Sequence, residues 1–185
     1  MTITPERLSI WWSFIRSSPI TNMFYPLLLL LHNPSFVHIY FLLCYILVFL
    51  SNGIEKEIFN NIYNLFGTDS LPIIGFGTRP KGASNCGSYL VFPNKPATSY
   101  GMPSGHSELA WFISIYIILD LLYGTRNTSN IIILVNSSIL IIYAFINSYA
   151  RVVIEKCHTT GQVCVGALLG IVKAVIFHFI QRLFI

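Results

Sequence analysis

The chain has 185 residues, 54% of them hydrophobic and 10% charged, with a mean hydropathy of +0.67. That apolar excess is more than a soluble core of this size can bury, so an ordinary soluble domain is excluded and a membrane protein is expected. Eleven basic residues against seven acidic ones give a net charge of +4; they are scattered, which excludes a basic patch for nucleic acid.

The chain opens with residues 6–17, ERLSIWWSFIRS, where two tryptophans stand between arginines, the composition of an anchor at a membrane surface. The first 14 residues show no positive start followed by an apolar stretch and a small-residue cleavage site, so no signal peptide is expected and the first membrane helix serves as anchor. Residues 22–32 (NMFYPLLLLLH) form a short apolar run interrupted by Pro26, and residues 36–50 (FVHIYFLLCYILVFL) a better candidate span. In residues 55–66, Ile58, Phe59, Ile62, Leu65 and Phe66 recur at helical spacing with a polar back, which fits a weakly hydrophobic span or a helix lying at the interface.

The connector over residues 67–102 holds six of the chain's twelve glycines and four of its nine prolines and is expected to be irregular. Three strong spans follow at residues 106–124, 130–149 and 161–180, each near the 20 residues a bilayer requires. The last carries Gly166, Gly170 and Ala174 at four-residue steps, a ridge that lets another helix come close and places this span inside the bundle. The chain therefore reads as all-α, a polytopic helical bundle of about five to six spans. One domain covers residues 1–185, with interfacial and spanning helices over 1–66 and a core over 67–185.

Cys44 and Cys164 lie in apolar runs and are expected to pack there. Cys86 and Cys157 fall in polar connectors and can pair only if that side faces an oxidising compartment. No C-x-x-C spacing or zinc-type histidine spacing is present, so no metal site is expected. The sequence Asn127-Thr128-Ser129 fits a glycosylation acceptor by pattern, close to the membrane. Lysine and arginine outside the motifs divide between the two faces, so their distribution sets no orientation.

Polar groups beside spans are functional candidates, because burying them unpaired costs several kcal/mol. They gather in three places: Arg79 in GTRPKG, Ser104 and His106 in PSGHS, and Arg151, His158 and Gln162 in ARVVIEKCHTTGQV. Alternation of the spans puts all three clusters on one side of the membrane. Arginine forks match phosphate oxygens, and the free amides at Ser104 and Gly105 open a helix whose dipole favours an anion. Asp120, Lys173 and His178, inside spans, are expected near the opposite interface with no chemistry, and Glu155 and Lys156 as a solvated pair.

These motifs resemble those of the type 2 phosphatidic acid phosphatase superfamily, membrane enzymes whose members carry Lys-x6-Arg-Pro, Pro-Ser-Gly-His and Ser-Arg-x5-His-x3-Asp. The likeness covers about residues 77–170, and YGMPSGHSELAWF and HTTGQVCVGALLG are similar to the dolichyl-diphosphatase-like branch. The resemblance implies the bundle architecture of that superfamily and a lipid phosphate or isoprenoid diphosphate as substrate. His158 is then the nucleophile, His106 the acid for the leaving oxygen, and Gln162 the group that orients His158. Arg79, Arg151, Ser104 and the Gly105 amide hold phosphate oxygens, and the scheme requires no metal or other cofactor. It further implies an endomembrane such as the endoplasmic reticulum, with the site lumenal or exterior.

Three positions depart from the family pattern. Pro72 stands where the first lysine belongs, leaving Lys81 or Lys56 as substitutes; six residues rather than five separate Arg151 from His158; and Gln162 replaces an aspartate. In a serine-protease triad the analogous neutral exchange costs about 10⁴ in rate, chiefly through the wrong tautomer. A diphosphate, with its better leaving group, asks less of the acid and base. Two other readings stay open: a phosphotransferase passing the group to an alcohol, and a silent relative that binds phospholipid headgroups or a partner.

Overall fold

A computed structural model describes residues 15–84, 86, 96–124 and 128–184. The tryptophan-rich opening falls mostly outside these residues, as does Asn127 of the glycosylation pattern.

Among the described residues the helices are α1 (Ser18–His32), α2 (Phe36–Leu65), α3 (Gly105–Tyr123), α4 (Asn130–Tyr149) and α5 (Thr160–Arg182). Four of these segments, Phe36–Leu65, Gly105–Tyr123, Asn130–Ile154 and Thr160–Arg182, are long and apolar enough to cross a bilayer. With α1 running beside them, the bundle agrees with a count of about five and makes this a multi-pass membrane protein. α1 is shorter, 15 residues, with Pro26 inside it; at 1.5 Å per residue it extends about 22 Å.

Residues 36–50 and 55–66, read above as two elements, form one 30-residue helix. Nothing at Gly53 breaks it: the residue keeps helical geometry, and a glycine inside a helix costs only about 1 kcal/mol. The Ser35 side chain accepts from the His38 amide and starts the helix. Its later turns carry Asn52, Glu55 and Lys56 up to the end of the bundle where the motifs lie.

α3 is the central helix and touches each of the other four. Its closest neighbour is α5, because the ridge of small residues has no side chains to hold the two apart. A Cβ added to Gly166 would meet the Ser104 carbonyl oxygen at 2.5 Å, and Gly170 presses as tightly on the Glu108 carbonyl. Phe41, Cys44, Tyr45 and Val48 of α2 meet Leu109, Phe112, Ile113 and Tyr116 of α3, with Ala174 of α5 completing the core. The Phe41 and Tyr116 rings stack at 4.3 Å. α4 instead turns Ile131, Leu134, Ile139, Ile142 and Phe145 outward, as a helix facing lipid should. Cys44 is buried as expected, but Cys164 is exposed on α5 because its position falls on the face opposite Gly166 and Gly170.

The described residues of the connector after α2 are mostly irregular, with one small hairpin among them. Strands β1 (Ser70–Leu71) and β2 (Gly75–Phe76) pair antiparallel, and Pro72 sits in the turn between them. Gly75 adopts φ +82°, a conformation open to glycine.

Candidate active site

At the end of α4 the backbone passes through one π-helical turn, Ala150–Ile154. A π turn admits one extra residue into a helix. Arg151 stands within it, which is how the chain absorbs the sixth residue between Arg151 and His158. The Arg151 carbonyl then accepts from the Cys157 amide at 3.1 Å and the His158 amide at 3.3 Å, folding the loop back against the helix end.

The three motif segments are bonded to one another. The Met102 amide donates to the Gly77 carbonyl at 3.1 Å, and the Ser104 amide to the Gln162 carbonyl at 3.0 Å. Arg79 Nη1 donates to the Cys157 carbonyl at 3.0 Å, and its Nε and Nη2 reach the carbonyl and hydroxyl of Ser99, each at 3.0 Å. A disulfide between Cys86 and Cys157, with Cα atoms 5.9 Å apart, ties the connector to the residue before His158.

Gln162 opens α5 in a capping box with Thr159. Its Nε2 donates to the carbonyls of Phe76, Gly77 and Thr78 at 2.9, 3.2 and 2.7 Å. Three acceptors require the NH₂ end of the amide, so Oε1 must point the other way, where it lies 2.9 Å from His158 Nδ1. Nδ1 therefore carries the proton. Nε2 keeps its lone pair, in agreement with Arg79 Nη1, which can only donate, standing 3.3 Å away. Burial first, and the Arg79 charge second, hold the His158 imidazole down at about 3, so it is neutral at physiological pH. Burial also pulls Arg79 below its usual range.

His106 is held differently. Its Nε2 lies 3.1 Å from the Arg16 carbonyl, which can only accept, so Nε2 carries a proton and Nδ1 is left for another partner. The Arg16 guanidinium is bidentate on Glu155, at 3.1 and 2.6 Å. Glu155 is thus engaged and Lys156 alone is exposed, so the two are not a solvated pair.

His158, His106, Arg79, Gly105 and Lys56 line one cavity of about 260 Å³, with Asn52, Ser99 and Cys86 also on its wall. Phe49, Asn52 and Lys56 reach it from a single face of α2, spaced three and four residues apart. Pro19, Ile20, Phe49 and Leu109 make the rest of the wall apolar. Lys81 is exposed and lies outside this lining; Lys56 is the lysine at the cavity. Ser104 is the N-cap of α3 but makes no side-chain cap bond, and its buried Oγ has no partner among the described residues. Arg151 is fully buried and outside the lining, with Nη2 donating to the Ile15 carbonyl at 2.6 Å and with Nε and Nη1 unpartnered among the described residues.

Sequence reasoning passed over Asn52, Ser99 and the Arg16 carbonyl. It also put Lys173 at the far interface, whereas the structure pairs it with Glu55 and Glu108. The signal was present, because opposite charges on separate apolar helices need one another. Cys86, Cys157 and His158 bring possible metal-ligating atoms within 4.8 Å of one another. The two sulfurs are bonded to each other and offer no thiolate.

A bundle of helices long and apolar enough to span a bilayer, with arginine, lysine and two oriented histidines around a cavity at one end, defines a multi-pass membrane protein with a candidate anion site. The family model for the PAP2 superfamily matches residues 38–184, and the chain belongs to that superfamily. It is 39% identical over 91 residues to Dolichyldiphosphatase 1 of Mus musculus, covering 46% of this chain and 38% of the mouse protein. With Dolichyldiphosphatase 1 of Homo sapiens it shares 39% identity over 84 residues, 42% of this chain and 35% of the human protein. The chain thus matches under two-fifths of the length of these curated relatives. No solved structure matches it.

Proposed function

We propose that this protein hydrolyses the terminal phosphate of a lipid phosphate or polyprenyl diphosphate through a phosphohistidine on His158. The observation that carries the reading is the fixed tautomer of His158, whose Nε2 lone pair faces a cavity lined by cations. In the first step His158 Nε2 attacks phosphorus and the bond to the leaving oxygen breaks, while His106, entering as imidazolium with its Nε2 proton still on the Arg16 carbonyl, gives that oxygen the proton on Nδ1. Water then attacks the phosphohistidine and returns a proton to His106; the N–P bond breaks, and inorganic phosphate leaves.

Arg79, Lys56 and the Gly105 amide neutralise the phosphoryl oxygens, while Arg151 adds its charge from behind. The apolar walls at Ile20, Phe49 and Leu109 suit the start of a greasy tail. The name of the mouse and human relatives, Dolichyldiphosphatase 1, favours a polyprenyl diphosphate among these substrates. A disulfide on the cavity wall supports a lumenal or exterior site, in the endoplasmic reticulum or another endomembrane.

The test is phosphate release in detergent from phosphatidate and isoprenyl diphosphates, comparing the wild type with His158→Ala and His106→Ala. Loss of about 10⁴-fold or more is expected for His158→Ala and about 10²- to 10⁴-fold for His106→Ala. Activity surviving in His158→Ala overturns the mechanism. Appearance of a phosphorylated alcohol when an alcohol is added would mark a transferase.

A further inference from the structure

Lys173 of α5 forms ion pairs with Glu55 of α2 and Glu108 of α3, and its Nζ is 2.8 Å from Ser51 Oγ. The other oxygen of Glu108, Oε2, accepts from Asn52 Nδ2 at 2.7 Å. A carboxylate ionised beside an ammonium can only accept, so the NH₂ end of Asn52 must face Glu108. Oδ1 is thereby turned toward Gly105, where an added Cβ would lie 2.7 Å from it, and among the described residues it receives no hydrogen bond. Asn52 lines the same cavity as His106 and His158.

The contrast with its neighbours decides what that oxygen can do. Arg79, Lys56 and the Gly105 amide only donate, which suits ionised phosphate oxygens; an amide oxygen has nothing to offer such an oxygen. It can hold a water molecule, which has two protons to give. We infer that Asn52 positions the water that hydrolyses the phosphohistidine, and that Glu108, fixed by Lys173, sets the orientation of Asn52. The inference rests on the phosphohistidine reading above. The water oxygen bonds to phosphorus as the N–P bond breaks and its electron pair returns to His158 Nε2. One water proton passes to His106, and the other, bonded to Asn52 Oδ1, stays on the departing phosphate.

The experiment uses the full chain in detergent and an isoprenyl diphosphate labelled with ³²P in its terminal phosphate, quenched in alkali, in which phosphohistidine survives. The wild type should carry label on His158 at low steady-state occupancy. Asn52→Ala should raise that occupancy about tenfold and lower phosphate release by a similar factor, with the rate of label uptake little changed. Asn52→Asp combined with Glu108→Gln exchanges donor and acceptor while leaving Oδ1 free, and should return occupancy to the wild-type level. A merely structural role for Asn52 would slow uptake and release together at unchanged occupancy, which overturns the inference. If Asn52→Ala fails to give monodisperse protein, the exchanged pair decides: high occupancy in that double variant also overturns it. Absence of label in the wild type during turnover overturns the phosphohistidine reading, whereas label on wild-type His158 with no rise in Asn52→Ala overturns this inference alone.

Discussion

The two histidines at the cavity are oriented by opposite means. His158 is set by an amide whose other end is clamped on three carbonyls of the β2 strand and its exit, so its tautomer follows from a rigid, local cage. His106 is set by one main-chain carbonyl 90 residues away, in a segment fastened by the Arg16–Glu155 ion pair. His158, the proposed nucleophile, is held through a buried amide with four hydrogen-bond partners, and His106, the proposed acid, by a strap that has to yield little to alter it. A group that must attack in line needs fixed geometry. A group that gives up and recovers a proton tolerates more movement.

The largest break in that comparison is expected at Gln162. Gln162→Leu removes the acceptor for His158 Nδ1 and takes the side-chain donor from the Phe76 and Thr78 carbonyls, while the Gly77 carbonyl keeps the Met102 amide. Phosphate release should fall by about 10³- to 10⁴-fold, in the range of a lost tautomer, and stability by about 1–3 kcal/mol for the unpaired groups. Gln162→Asp restores the family residue and yet should not rescue activity, because its carboxylate would face the carbonyl oxygens of Phe76, Gly77 and Thr78. Near-wild-type turnover of Gln162→Asp would show that the cage is not what orients His158.

The Pro-Ser-Gly-His and His-Thr-Thr-Gly-Gln stretches were legible in the sequence, and with them the family and the side of the bundle where the site lies. So was the close approach of some helix to α5, since Gly166, Gly170 and Ala174 form a small-residue ridge; that the partner is α3 came only from the structure. The role of the Gln162 amide was only half legible. Its four-residue spacing from His158 suggests contact, but the three carbonyls come from a hairpin 84 to 86 residues earlier, and main-chain acceptors leave no trace in side-chain identity. The Arg16 carbonyl was invisible for the same reason. The sequence offered Lys81 and Lys56 alike for the missing lysine; Lys56 reaches the cavity because α2 runs on unbroken past Gly53.

A second test reads the protonation of His158. Its pKa near 3 in the folded protein lies below the ordinary value of 6.5, so from pH 6.5 downward the unfolded state binds a proton that the folded state refuses. Stability present above pH 6.5 is therefore lost as pH falls toward 3, with a slope from this group of at most about 1.4 kcal/mol per pH unit. His158→Ala should flatten the decline in thermal stability between pH 6.5 and 4.5 relative to wild type. Parallel declines would mean that His158 titrates normally and that the cage does not keep it neutral.

The smallest effect is expected where the strap is loosened. Glu155→Gln leaves a side chain of the same size that still accepts from Arg16 but removes the charge pairing of a partly buried pair, a change on the order of 1 kcal/mol. His106 loses none of its own atoms; only the placement of the carbonyl that fixes its Nε2 becomes less certain. Phosphate release should fall by a few-fold, and more for a substrate with a poor leaving group, a lipid monophosphate, than for an isoprenyl diphosphate, because only the former depends strongly on a well-placed acid. Equal losses on both substrates would place the ion pair in general stability, while a loss as large as that of Gln162→Leu would mean that the acid is held as rigidly as the nucleophile.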